Sequence, residues 1–143
     1  MDPGVQGPAA IWVMDSSAII AYTQMEAGAD RVRLVLRDQA NACTIHAINL
    51  CEVFYDAVRR EHEASARAVI ERLLDAGLTV RADMDPEFWE SAGLLKAQQH
   101  RVSLADCFCV TLARRLGGRI LTCDHHEFDR VAPLGLCPVE FAR

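Results

Sequence analysis

The chain has 143 residues, 51% of them hydrophobic, and a formal net charge of −5. That is enough for one domain with a proper core and no disulfide staples, and the acidic balance does not advertise a nucleic-acid binder. The longest early apolar run, residues 9–14, is too short to span a bilayer and lacks a basic leader, which points to a cytoplasmic protein with no membrane segment.

Residues 1–10 read as a flexible lead-in, with prolines and glycines among the first eight, and residues 11–143 as a single domain. A short buried strand over 11–15 ends on Asp15, and a helix follows from Ser16 with Ala18, Ile19 and Tyr22 at helical spacing. A second helix, 27–38, turns Val32, Leu34, Val35 and Leu36 mostly inward. A strand at 42–45 leads into a helix over 47–61, where Leu50, Val53, Phe54, Ala57 and Val58 recur every three or four residues. Asp56 on that helix has Arg59 and Arg60 at pairing distance. Another helix spans 63–76 and stops at Gly77, before a strand at 78–82. Asp85-Pro86-Glu87 is a helix start, with a cap and a proline in the first turn, for a helix bearing Phe88, Trp89, Leu94 and Leu95. Ser103 opens the next helix, which ends at Gly117-Gly118. A strand at 119–122, one helical turn at 127–131 and a strand at 139–141 complete the chain. Short apolar strands separated by helices predict a parallel sheet of four to five strands with helices on both faces. In such sheets the functional crevice lies beyond the carboxyl ends of the strands, where Asp15 and Asp124 fall.

Six cysteines without a C-x-x-C spacing read as buried, reduced, small hydrophobes, with structural zinc a distant second. Lys96 is the only lysine, so the cations are almost all arginine, the side chain suited to bidentate phosphate contacts. The arginines fall in short groups of the kind that usually form solvated helix faces.

Four motifs carry acids: Asp15-Ser16-Ser17, Asn49-Leu-Cys-Glu52, Ser103-Leu-Ala-Asp106 and Thr122-Cys-Asp124. Singly, each has a structural explanation. Asp15 can cap the helix after it, Ser103 with Asp106 matches a capping box, and Thr122 and Asp124 suit a turn. Glu52 is harder to explain in this way, because its neighbours Cys51, Val53 and Phe54 are apolar and a buried acid needs a partner. The predicted fold brings all four acids to one rim. Carboxylates about 5 Å apart repel by roughly 3 kcal/mol at an effective dielectric near 20, so the cluster either retains protons or takes a divalent cation. Oxygen ligands with the hydroxyls of Ser17, Ser103 and Thr122 beside them suit Mg²⁺ or Mn²⁺. Arg114, about two turns beyond Asp106, is a candidate for a basic RNA-binding rim, and equally a favourable charge at a helix C-terminus.

These four motifs, in this order and spacing, resemble the PIN domain family, and the short single-domain form resembles its VapC-type toxins. The resemblance covers residues 11–141. It implies a three-layer α/β/α fold, a Mg²⁺ or Mn²⁺ site, endoribonuclease activity on RNA, often a homodimer, and a small VapB-like antitoxin whose tail blocks the active-site groove. Residue by residue, it implies Asp15 and Asp106 as main metal ligands, Glu52 and Asp124 completing the catalytic cluster by holding waters or a second ion, with Asp124 thus a further metal ligand, and Ser17 as a supporting hydroxyl. Phe128 lies four residues after Asp124, where the family pattern has an aromatic three residues on, so 125–127 reads as a loop one residue longer. His125 and His126 then sit in an exposed loop, with proton transfer or metal ligation as the alternative, and Asp129 beside Arg130 reads as a surface residue rather than a fifth acid. Two other functions are open. One is a PIN-like module that binds RNA or protein without cutting. The other is a phosphohydrolase with Asp15 as nucleophile, which wants a second acid where Ser17 stands and a lysine that only Lys96 could supply.

Overall fold

Side chains alternate along the first strand, β1 (Ala10–Met14), and this alternation sets the layers. Trp12 and Met14 enter one hydrophobic core and Val13 the other. The computed structural model describes residues 10–143, so most of the expected lead-in lies outside the described residues, and Ala10 already belongs to β1. The chain continues through α1 (Ser16–Thr23), α2 (Ala29–Arg37), β2 (Asn41–His46), α3 (Ala47–Arg60), α4 (Glu63–Asp75), β3 (Thr79–Arg81), α5 (Pro86–Gln98), α6 (Leu104–Leu116), β4 (Arg119–Thr122), α7 (His125–Val131) and β5 (Val139–Phe141).

The five strands form one sheet in the order β3-β2-β1-β4-β5, with every neighbouring pair parallel. The first core gathers Met14, Ile19, Val32, Val35, Ile45, Val53 and Leu73, from α1–α4 and one sheet face. The second gathers Val13, Phe88, Phe108, Leu112, Ile120 and Phe128, from α5–α7 and the other face. The result is the expected α/β/α sandwich. Strand order reverses at β1, with β2 on one side and β4 on the other, so the ends of β1 and β4 straddle the switch point of the sheet.

Local chemistry sets the helix ends that matter for this rim. The ring of His46 caps α3: Nδ1 accepts the Ile48 N–H at 3.1 Å, and Nε2 must therefore carry the proton it gives to the Asp83 carbonyl at 2.9 Å. Ser103 Oγ accepts the Asp106 N–H at 3.2 Å at the start of α6. Gly117, at φ 64°, closes α6 in the left-handed region. Gly118 lets the chain pass so close to β1 that an added Cβ would stand 2.9 Å from the Ile11 carbonyl oxygen.

Some expectations are corrected. Leu34 is 65% exposed on the outer side of α2, and Trp89 and Leu94 lie on the exposed side of α5, whereas Phe88 is buried. Residues 125–127 are the first turn of α7 rather than a loop. All six cysteines are free thiols; Cys43, Cys107, Cys109 and Cys123 are buried, while Cys51 is exposed. Asp56 pairs with Arg60 at 2.8 Å. Among the described residues, no helix is long and apolar enough to cross a membrane.

Candidate metal centre

Asp15 follows β1 as the N-cap of α1 and is only 1% exposed. Its Oδ2 accepts the Ser17 N–H at 3.3 Å, the Ser17 hydroxyl, and the Thr122 hydroxyl at 2.9 Å. Those hydroxyls in turn accept backbone donors: Ser17 Oγ takes the Cys123 N–H and Thr122 Oγ1 the Asp124 N–H, both at 3.0 Å. With both protons directed at Asp15, the 3.1 Å approach of the two hydroxyls is a packing contact. The other oxygen, Oδ1, is buried with no hydrogen-bond partner. One side of the carboxylate is thus saturated, and the other receives no donor from Ser17, Thr122 or the backbone.

Asp106, in the first turn of α6, comes within hydrogen-bonding reach of Asp15. Two ionised carboxylates have no proton to share, so one of them must hold one. Burial first, and then the charge of Asp15, push the Asp106 carboxyl up to about 9. Burial likewise raises Asp15, against the hydrogen bonds from Ser17 and Thr122 that lower it. Glu52, half-buried on α3, is raised by burial and then by Asp15. The Asn49 side chain ties this helix to α6: its Nδ2 reaches the Ala105 carbonyl at 3.2 Å and Glu52 Oε1 at 3.4 Å. Asn49 Oδ1 is buried without a partner.

Asp124 is placed differently. It caps α7, its Oδ1 accepting the Glu127 N–H at 3.1 Å, and its charge is the last of the influences that raise Asp15. Glu127 acts on the other two acids. Its Oε2 accepts the Ser103 N–H at 2.9 Å, and its charge raises both Asp106 and Glu52. Glu127 and Asn49 went unassigned in the sequence. Asp124-His-His-Glu127 has the capping-box spacing, which was a signal that a helix begins at 125 and that its third residue is placed by the cap.

The remaining candidates lie apart from the acids. Arg114 is in the last turn of α6, roughly 12 Å along the helix from Asp106 at 1.5 Å per residue, beside a groove lined by Leu94, Leu95, Leu134 and Leu136. Arg115 is paired with Asp83 and Asp85. His125 stacks on Phe141 at 4.1 Å and lies between Asp129 Oδ1 at 3.0 Å and the Arg143 carbonyl at 2.7 Å. The Arg143 carbonyl, and then Asp129, raise its pKa. Lys96 donates to the carbonyls of His100 and Val102, which leaves an aspartyl-phosphate mechanism at Asp15 without its helping cation.

Among the described residues, no ion pair involves Asp15, Glu52, Asp106 or Asp124, and no three His, Cys, Asp or Glu side chains stand as a ready-made metal cage. What stands instead is a pair of buried carboxyls, Asp15 and Asp106, with two further acids nearby. Mg²⁺ is commonly held by one or two carboxylates and keeps several waters, so this oxygen-only set fits such an ion. The proton between Asp15 and Asp106 then marks the charge that a cation would replace.

The sequence matches the PIN domain over residues 12–134. Solved structures that share the fold include the following three. VapBC2 from Rickettsia felis, bound to a DNA fragment from its promoter, is 14% identical with a TM-score of 0.69, covering 92% of this chain and 98% of that one. DNA-bound VapBC from Salmonella typhimurium is 21% identical with a TM-score of 0.70, covering 94% and 99%. VapC20 from Mycobacterium tuberculosis, a toxin that cleaves the sarcin-ricin loop, is 17% identical with a TM-score of 0.67, covering 85% and 95%. No curated protein matches the chain in sequence.

Proposed function

The chain belongs to the PIN domain family, and on that premise we propose that it is a Mg²⁺- or Mn²⁺-dependent endoribonuclease, the toxin of a cytoplasmic toxin–antitoxin pair. The observation that carries the reading is the buried Asp15–Asp106 carboxyl pair, which takes part in no ion pair among the described residues. Asp15 and Asp106 would hold the ion. A bound divalent ion lowers the pKa of water and steadies charge on a phosphoryl oxygen. Ser17 and Thr122 fix the orientation of Asp15 by occupying its Oδ2. Glu52, half-buried and raised, is suited to hold or pass a proton at its carboxylate oxygens, and Asn49 Nδ2 keeps it beside α6. Asp124 contributes charge while fixing the start of α7.

Similarity to VapBC complexes supports an antitoxin partner. A mainly apolar groove of about 470 Å³ between α3 and α4, lined by Leu50, Cys51, Phe54 and Ile70 with Arg67 and Glu71, is a candidate seat for such a partner. Exposed Trp89 and Leu94 on α5 are candidates for a homodimer contact. The test compares wild type with Asp106→Asn on structured RNA, in Mn²⁺ and in EDTA. Cleavage by wild type in Mn²⁺ alone is expected. Equal cleavage by both proteins identifies a contaminant and removes the nuclease assignment, and RNA binding without cleavage by wild type makes the protein a binding module.

A further inference from the structure

We infer that Glu127 is a positioning residue that frees Asp106 for the acid cluster by taking over its place in the helix cap; the inference rests on Asp106 being one of the metal-holding groups. A helix with Ser at the N-cap and an acid three residues on normally closes on itself. The hydroxyl takes the third N–H, and the acid reaches back to the N–H of the cap residue. In α6 only the first half forms, with Ser103 Oγ on the Asp106 N–H. The second half is made from another helix: the Ser103 N–H goes to Glu127 Oε2 at 2.9 Å, 24 residues away. Asp106 makes no bond to the Ser103 N–H; its carboxyl stays within reach of the Ser103 side chain and lies against Asp15.

Glu127 is free to do this because its own cap is displaced in the same way. Asp124-His-His-Glu127 has capping-box spacing, and Asp124 Oδ1 takes the Glu127 N–H. The reciprocal bond, from Glu127 back to the Asp124 N–H, is pre-empted by Thr122 Oγ1 at 3.0 Å. The same Thr122 hydroxyl donates to Asp15. The exchange is therefore a closed ring: Thr122 displaces Glu127, Glu127 displaces Asp106, and Asp106 meets the Asp15 that Thr122 holds. Phe128, fully buried beside Glu127, fixes α7 so that the glutamate reaches α6.

Without Glu127, the vacated Ser103 N–H becomes a donor that competes with Asp15 for the Asp106 carboxyl. Three variants separate reach from charge. Glu127→Gln keeps an acceptor oxygen at the same reach and loses the charge, Glu127→Asp keeps the charge and loses the reach, and Glu127→Ala loses both. Mn²⁺ binding is read by electron paramagnetic resonance, folding by thermal melting, and the metal-free pose of Asp106 by a crystal structure of Glu127→Asp. The expected result is Mn²⁺ affinity lowered about 10- to 100-fold in Glu127→Asp and Glu127→Ala, a few-fold change or less in Glu127→Gln, and Asp106 turned back onto the Ser103 N–H. Equal loss in Glu127→Gln and Glu127→Asp would overturn the inference in favour of a charge or a direct ligand. Unchanged affinity in Glu127→Asp would overturn it outright. If wild type itself takes no Mn²⁺, the metal reading fails, and the metal-free pose still decides: Asp106 unmoved in Glu127→Asp refutes the displacement.

Discussion

Replacing Asp106 by asparagine is expected to make the metal-free protein more stable while removing its activity. The folded carboxyl, pushed up to about 9 from an ordinary 3.8, keeps a proton at pH 7 that the unfolded chain has released. Holding it over the three or so pH units between 3.8 and 7 costs up to roughly 4 kcal/mol at 1.36 kcal/mol per unit. Asparagine offers Asp15 an N–H donor with no proton to bind, so Asp106→Asn escapes the penalty. The sign follows from a folded value above the unfolded one: the contribution of protonated Asp106 is complete below about pH 4 and is lost as the pH rises toward 9. The stability difference between variant and wild type should therefore vanish near pH 4, grow tenfold in the folding constant per pH unit, and level off near pH 9. Urea unfolding in EDTA across that range measures it. A gap independent of pH, or a wild type more stable than the variant at pH 7, refutes the buried-proton argument. Added Mn²⁺ should narrow the gap, because it stabilises only the protein that binds it.

Thr122→Val removes the hydroxyl that serves both Asp15 and the Asp124 N–H. A loss of roughly 3 kcal/mol is expected, with RNA cleavage reduced, and an unchanged melting temperature would show that the hydroxyl is dispensable. Gly118→Ala drives a methyl to 2.9 Å from the Ile11 carbonyl, which β1 cannot easily yield. Chemical unfolding should show a loss of about 1–3 kcal/mol, and an unchanged midpoint would mean that the two segments can separate.

The layers were readable because the strands are short apolar runs and helix starts carry the caps Asp15 and Ser103 and the first-turn Pro86, residues whose local chemistry is much the same in any fold. The expected cap Asp85, by contrast, makes no side-chain cap bond and pairs with Arg115. Leu34 fell outside the reading because a run of apolar residues on α2 does not say which of them the sheet covers. At the rim, Asp15 was legible twice over, since the cap and the cluster use different oxygens of one carboxylate. Glu127 was not, because its role depends on Thr122 having already taken the Asp124 N–H, a fact of three-dimensional packing. Asn49 was equally hidden: on a helix it reads as a neutral polar residue, and its bond to the Ala105 carbonyl exists only once α3 and α6 are side by side.

The place of β4 in the chain also orders the assembly of the rim during synthesis. Asp15, Glu52 and Asp106 leave the ribosome before the segment from Arg119 onward, yet the strand that pairs with β1 and the hydroxyl that steadies Asp15 both belong to that late segment. A nascent chain therefore carries three of these acids before the residues that hold Asp15 in place have been made.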